Sequence, residues 1–231
     1  MPTHTHPHTD ALIAAVSAHI ANALDEALAA RGRAVLALAG GRTSPPVFRA
    51  LAQQPRDWSQ VTVLPSDERW VAHTHADCNL RQMQEAFAGA AGIRWQPLVP
   101  ALPSGEVSAA YAEQQLAALS APFDLTMVGM GADGHFASLF PGAPTLAAAL
   151  DLAGTAAAAA IIPNPMPSAG PHPRVSLTLP RLLRARRVLL VITGADKLAV
   201  LQQASTQNDP ARWPVAALLH APQAVEVHWA P

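Results

Sequence analysis

Four short segments of this chain hold the residue types that chemistry needs. Gly129-Met130-Gly131-Ala132-Asp133-Gly134-His135 packs three glycines, a carboxylate and an imidazole into seven residues. Histidine is the side chain that gains and loses a proton near neutral pH, and an acid two residues away suits a proton-transfer site. The plainer reading of His135 is a helix cap. Ser66-Asp67-Glu68-Arg69-Trp70 places Asp67 and Arg69 two apart. On an extended segment they share a side. They make either a charged site or a surface ion pair worth little to stability. Gly40-Gly41-Arg42-Thr43 and Thr193-Gly194-Ala195-Asp196-Lys197 look like anion cradles. Glycine lets backbone N–H groups approach a ligand, Thr43 adds a hydroxyl, and a helix start follows each. Tight strand-to-helix turns need glycine in any case, so each loop alone says little.

Lys197 changes that balance. The chain has 14 Arg, 50 Ala and 22 Pro but a single Lys. All three enriched types have GC-rich codons, so the pattern is genome bias. A position that keeps Lys under that bias needs a compact ammonium on a flexible stem, unless it is a chance survivor on a solvated face. With the only Lys in one of two cradles, phosphate binding is the better reading.

The elements that must position these groups follow from periodicity. Helices are expected over 10–31 (capped by Asp10 or Thr9 and stopped by Gly32), 46–54, 79–89, 107–119, from 195 to about 204, and 215–220. Strands are expected over 34–39, 61–64, 123–129, 174–179, 187–193 and 224–229, with 156–162 leaning to strand. Residues 67–77 read as a polar loop and 163–173 as a Pro-rich surface loop. The alternation of strand, loop and helix argues for an α/β fold, a mainly parallel sheet with helices on both faces. Ligands of such sheets bind beyond the carboxyl ends of the strands, where all four segments lie.

Composition limits the alternatives. A chain of 231 residues with half its residues hydrophobic and 13% charged builds a core, here as a single domain over 1–231 with 1–9 a flexible terminus. A net charge of −1 argues against a nucleic-acid partner. No uncharged apolar run reaches 18 residues, so no membrane span is expected. The lone Cys78 excludes an internal disulfide. A cytoplasmic setting is the default. The His4, His6, His8 alternation offers metal ligands, but on a floppy terminus it reads as incidental.

As a set the motifs resemble the glucosamine-6-phosphate isomerase/6-phosphogluconolactonase family. The resemblance runs through GGRT (40–43), SDERW (66–70), Asp77-Cys78-Asn79, VGMGADGHFASLFPG (128–142), Arg174-Val175-Ser176-Leu177-Thr178 and the Thr193–Lys197 segment. It implies an isomerase/CoA-transferase-like, Rossmann-like fold. The implied reaction is hydrolysis of 6-phospho-D-glucono-1,5-lactone in the oxidative pentose phosphate pathway, with no metal or cofactor, by a monomer or homodimer. It implies His135 at the reacting centre, with Asp67 and Arg69 at the sugar end. Asp133, two residues before that histidine, either orients the imidazole or only shapes the turn. Gly40, Gly41, Thr43, Arg174 and Lys197 would hold the phosphate, with Arg42 adding a contact. Ser44 stands where Pro is usual, and Cys78 where Ser usually precedes Asn. The isomerase/deaminase branch needs a carboxylate five residues after the motif His. Phe140 stands there, which disfavours that branch. A non-enzymatic sugar-phosphate sensor is the third possibility, but it has no need of Asp-Gly-His.

Overall fold

The computed structural model describes residues 2–168 and 170–231. Its centre is a seven-stranded, wholly parallel sheet in the order β1-β10-β9-β6-β2-β3-β5. The strands are β1 (Thr3–Thr5), β2 (Ala34–Leu38), β3 (Val61–Pro65), β5 (Arg94–Trp95), β6 (Leu125–Val128), β9 (Val188–Thr193) and β10 (Glu226–Ala230). A second, antiparallel sheet runs in the order β4-β8-β7, from β4 (Asp67–Arg69), β7 (Ala158–Ile161) and β8 (Arg174–Leu177).

Successive side chains of a strand point to opposite faces, and here both faces are apolar. Leu36, Leu38, Val63, Met127, Leu189 and Val191 join one buried cluster with α1 (Thr9–Arg31), α2 (Ser44–Ala52) and α3 (Asn79–Ala86). Ala37, Leu64, Val128, Leu190 and Ile192 face the other way. They pack with the small sheet and with α4 (Ala110–Ala117), α5 (Leu146–Leu150), α6 (Leu179–Leu183), α7 (Ala195–Gln207) and α8 (Val215–Leu219). Helix α1 is long and apolar enough to cross a membrane by length and composition. Its Leu12, Val16, Ile20 and Leu24 are fully buried in the cluster with the sheet.

Three expectations need correction. Of the expected flexible terminus 1–9, residues 2–9 are not merely a flexible lead-in: β1 adds to the sheet edge with His4 opposite His228. His6 N–H donates to Trp229 O at 2.8 Å, and Val227 N–H to Pro2 O at 2.9 Å. A three-residue exposed strand has no periodic signal of its own. Residues 67–77 are not all loop, because 67–69 form β4, whose partner β8 lies more than a hundred residues on. The cap of α1 is the His8 ring, which accepts from Ala11 N–H at 3.2 Å, in place of Asp10 or Thr9.

Candidate active site

The four segments converge. A cleft of about 370 Å³ opens beyond the ends of β2, β3, β6 and β9. It is lined by Gly40, Gly41, Arg42, Thr43, Asp67, Arg69, His135, Arg174 and Lys197, so every expected site residue but Asp133 reaches it.

The loop after β6 is a tight turn that aims an imidazole. Gly131 N–H donates to His135 O at 2.9 Å, and Gly134 N–H to Gly131 O at 3.1 Å. His135 is no helix cap: its Nδ1 lies 2.5 Å from Asp133 Oδ1, the same oxygen that accepts from His135 N–H at 3.2 Å. A Cβ on Gly131 would lie 2.3 Å from the ring and 2.6 Å from Asp133 Oδ1, so only glycine leaves room for the pair. Burial alone would raise the Asp133 carboxyl, but the hydrogen bond and charge of His135, with backbone N–H groups, hold it below the ordinary range. With Nδ1–H given to that carboxylate, the imidazole keeps its lone pair on Nε2. Phe140 stacks on the ring, centroids 4.0 Å apart.

The cradle after β2 is built by its neighbours. A Cβ on Gly40 would lie 2.2 Å from Asn79 Oδ1, and Gly41 takes φ +91°, which disfavours any side chain. Ser44 does not loosen the turn, because its hydroxyl donates to Gly40 O at 3.1 Å. Pro45 and Pro46 open α2 and have no N–H. The donors available to an anion are therefore the amides of the loop itself, and the Thr43 hydroxyl makes no capping bond. Lys197 is the third residue of α7. Burial lowers its ammonium pKa; Asp196 opposes this, Arg42 adds to it and Asp133 opposes it. So Arg42, Lys197 and the Asp133–His135 pair share one neighbourhood.

A second cationic group sits on the small sheet. Asp67 and Arg69 do share a side of β4, as their spacing requires, but they do not pair with each other. Arg69 faces Arg174 across the β4–β8 ladder. Arg69 Nη1 donates to Asp77 O at 3.0 Å and to Asn79 Oδ1. Arg174 Nη2 donates to Gly170 O at 2.7 Å. The Nε of each guanidinium is buried and has no protein partner. A buried, unmet donor is costly, and two of them in one cleft call for an anionic or oxygen-rich ligand. Burial lowers the Arg174 pKa, with Asp67 opposing. Asp67 is 7% exposed, and both its oxygens are taken, Oδ1 by the Ser66 hydroxyl at 3.0 Å and Oδ2 by that of Ser138.

The sequence reading passed over several supporting residues. Asn79 ties three segments together: it accepts from Arg69, donates to Asp67 O at 2.7 Å and abuts Gly40. Glu68, on the opposite side of β4, accepts from the N–H groups of Asn79 at 2.7 Å and Leu80 at 2.8 Å, capping α3. Burial raises the Glu68 carboxyl pKa, and those N–H bonds oppose the shift. Beside it, Cys78 is fully buried, burial pushes its thiol up to about 11, and its Sγ accepts from Arg81 N–H at 3.5 Å to cap α3, so its role is structural. Ala137 is held at φ 47°, a strained position that its sequence does not mark. Alternation along β4 does place Glu68 away from the cleft; nothing local signals the rest.

Residues 7–229 match the family model described as glucosamine-6-phosphate isomerases/6-phosphogluconolactonase. The chain belongs to this family. A relative from Pseudomonas putida named 6-phosphogluconolactonase is 40% identical over 222 residues, covering 95% of this chain and 89% of the relative. One from Rhizobium meliloti with the same name is 38% identical, covering 99% and 98%. The crystal structure of a 6-phosphogluconolactonase from Shewanella baltica superposes with a TM-score of 0.92 at 31% identity, covering 100% of this chain and 98% of that one. The family's α/β architecture, with its parallel sheet, is the one expected from the motifs. Among the described residues, those lining the cleft do not gather three metal ligands. His75, Asp77 and His172 do so outside it, with Asp77 already bound to His172 at 2.9 Å.

Proposed function

We infer that this chain is a 6-phosphogluconolactonase, hydrolysing 6-phospho-D-glucono-1,5-lactone to 6-phosphogluconate. The observation that carries the reading is the His135 imidazole, braced by Asp133 and stacked on Phe140. The isomerase/deaminase reading needs a carboxylate where Phe140 stands, and a phenyl ring moves no proton. The names of the relatives at 38% and 40% identity support the same choice.

The phosphate binds the loop amides of 40–43, the Thr43 hydroxyl, Arg42 and Lys197, with Arg174 approaching from β8. Binding there fixes a small substrate, so the energy of the phosphate contacts goes into orientation. Water attacks the lactone carbonyl carbon while His135 Nε2 takes its proton. The carbonyl electrons move onto oxygen, and that oxyanion is met by Arg69 Nε–H and loop N–H groups. Collapse of the tetrahedral centre breaks the bond to the ring oxygen, which receives the proton back from His135. Asp133 keeps the imidazole in the Nε2-basic tautomer and stabilises the transient imidazolium. Asp67 is a poor base here, since two hydroxyls already occupy its oxygens.

The deciding experiment incubates the purified protein with the lactone and, separately, with glucosamine 6-phosphate. Lactone opening above the spontaneous rate is expected, with no ammonia release. Ammonia release would overturn the choice of branch, and neither activity would favour a binding protein.

A further inference from the structure

Away from the cleft, the sheet edge gathers an unusual set of side chains. His4 on β1, Glu226 and His228 on β10 and His19 on α1 meet beneath the first helix, with His6 beside them. One ligand atom from each of His4, Glu226 and His228 lies within 4.8 Å of the others. His4 Nε2 is 3.8 Å from Glu226 Oε2, and His19 Nε2 is 3.8 Å from Glu226 Oε1. None of these residues lines the catalytic cleft.

Two atoms here are unexplained by the protein alone. His19 Nε2 and His228 Nε2 are both buried and have no hydrogen-bond partner. The other ring nitrogen of His228, Nδ1, lies 3.1 Å from His6 Nε2. If Nδ1 carries the hydrogen and donates to His6, then Nε2 of His228 is a bare lone pair in a buried place. That is the arrangement of a metal-binding histidine, whose second nitrogen is held by an outer partner.

We propose that His4, His19, His228 and Glu226 form a structural zinc site that clips β1 and α1 to β10. Three imidazole nitrogens and one carboxylate oxygen suit tetrahedral Zn²⁺. Zinc bonds of about 2.0–2.2 Å set tetrahedral ligand atoms roughly 3.3–3.5 Å apart. The two 3.8 Å separations run to different Glu226 oxygens, Oε2 from His4 and Oε1 from His19, so the carboxylate turns to present one oxygen and the His19 ring moves in as the site closes. His4, half-exposed on the edge strand, leaves its stack on the His228 ring, where the centroids are 4.7 Å apart, to swing in. Four protein ligands leave no open position, so the ion holds structure and does no chemistry. The metal stabilises the folded state by mass action.

The test uses the full untagged chain, stripped with chelator and titrated with Zn²⁺ by calorimetry and with Co²⁺ by visible absorption. One ion per chain, the intense visible bands of tetrahedral cobalt and a higher melting temperature with zinc are expected. His19→Ala and Glu226→Gln should each weaken binding by at least tenfold, the scale of a lost ligand or outer partner. Lactone hydrolysis should be unchanged by chelator at temperatures well below melting. His228→Ala is the strongest variant but risks misfolding, which is why His19 and Glu226 carry the test. If both of those variants bind zinc as the parent does, while removal of residues 2–8 abolishes binding, the terminal histidines chelate by themselves and the site is refuted. No binding to the parent chain, or octahedral cobalt spectra, refutes it equally.

Discussion

Replacing Asp133 by Asn separates the orientation of the imidazole from its charge. In the parent protein one oxygen, Asp133 Oδ1, serves both Nδ1 at 2.5 Å and the His135 N–H at 3.2 Å. An Asn keeps an oxygen for both, so the turn survives. It loses the negative charge that supports the imidazolium as the water proton arrives. A charge-assisted bond is roughly twice as strong as a neutral one, so the loss is about 1–1.5 kcal/mol in the transition state. That corresponds to roughly a tenfold fall in kcat. If the Asn amide turns its NH₂ toward Nδ1, the tautomer reverses, Nε2 carries the hydrogen, and the fall reaches several decades, of the order of 10⁴. KM and product affinity should hardly move, because Asp133 does not line the cleft. The melting temperature should also stay put, since the Asp133 side chain is 47% exposed and such pairs add little to stability. The assay is initial-rate lactone opening, with the spontaneous rate subtracted, beside thermal melting. Full kcat in Asp133→Asn would reduce Asp133 to a turn former. His135→Ala should cost roughly 10²-fold or more; near-normal turnover there would remove His135 as the base and promote Asp67.

Other outcomes follow from the same geometry. An amine reagent reaches only Lys197 and the N-terminal amine; 6-phosphogluconate should protect Lys197, and Lys197→Met should weaken product binding by roughly 1.5–3 kcal/mol. Equal labelling with and without product, with activity retained, would remove Lys197 from the phosphate site. Phe140→Glu should release no ammonia and should lose lactone hydrolysis. The new carboxylate would sit beside Arg174, now 5.5 Å from the Phe140 ring, and against the His135 ring. Cys78, with its thiol pushed up to about 11, has almost no thiolate at neutral pH. Iodoacetamide should therefore spare it until the protein unfolds, and Cys78→Ser should keep full activity and shift stability by no more than about 1 kcal/mol. Rapid labelling of the native protein would contradict that burial.

The amino-acid order by itself determined the five inner strands of the large sheet, though not its edges β1 and β5, and the places where chemistry sits. Runs such as 188–193 are apolar on both faces, so they belong inside a parallel sheet, and the turns that follow them inherit the ligand side. The Asp133–His135 pair was legible because its geometry is local, two residues on a glycine turn. Only the tertiary structure decided what depends on distant partners. Whether Asp67 and Arg69 paired with each other or faced a site rested on β8, more than a hundred residues away, which sets Arg174 opposite Arg69. Asn79 is one polar residue among many until Gly40 and Arg69 close on it. The placement of the terminal histidines carries no local signal because it lies in a register, His4 opposite His228, formed between two distant strands of the chain. Local spacing carries the physics of helices, strands and turns; contacts made across the whole chain leave no period to read.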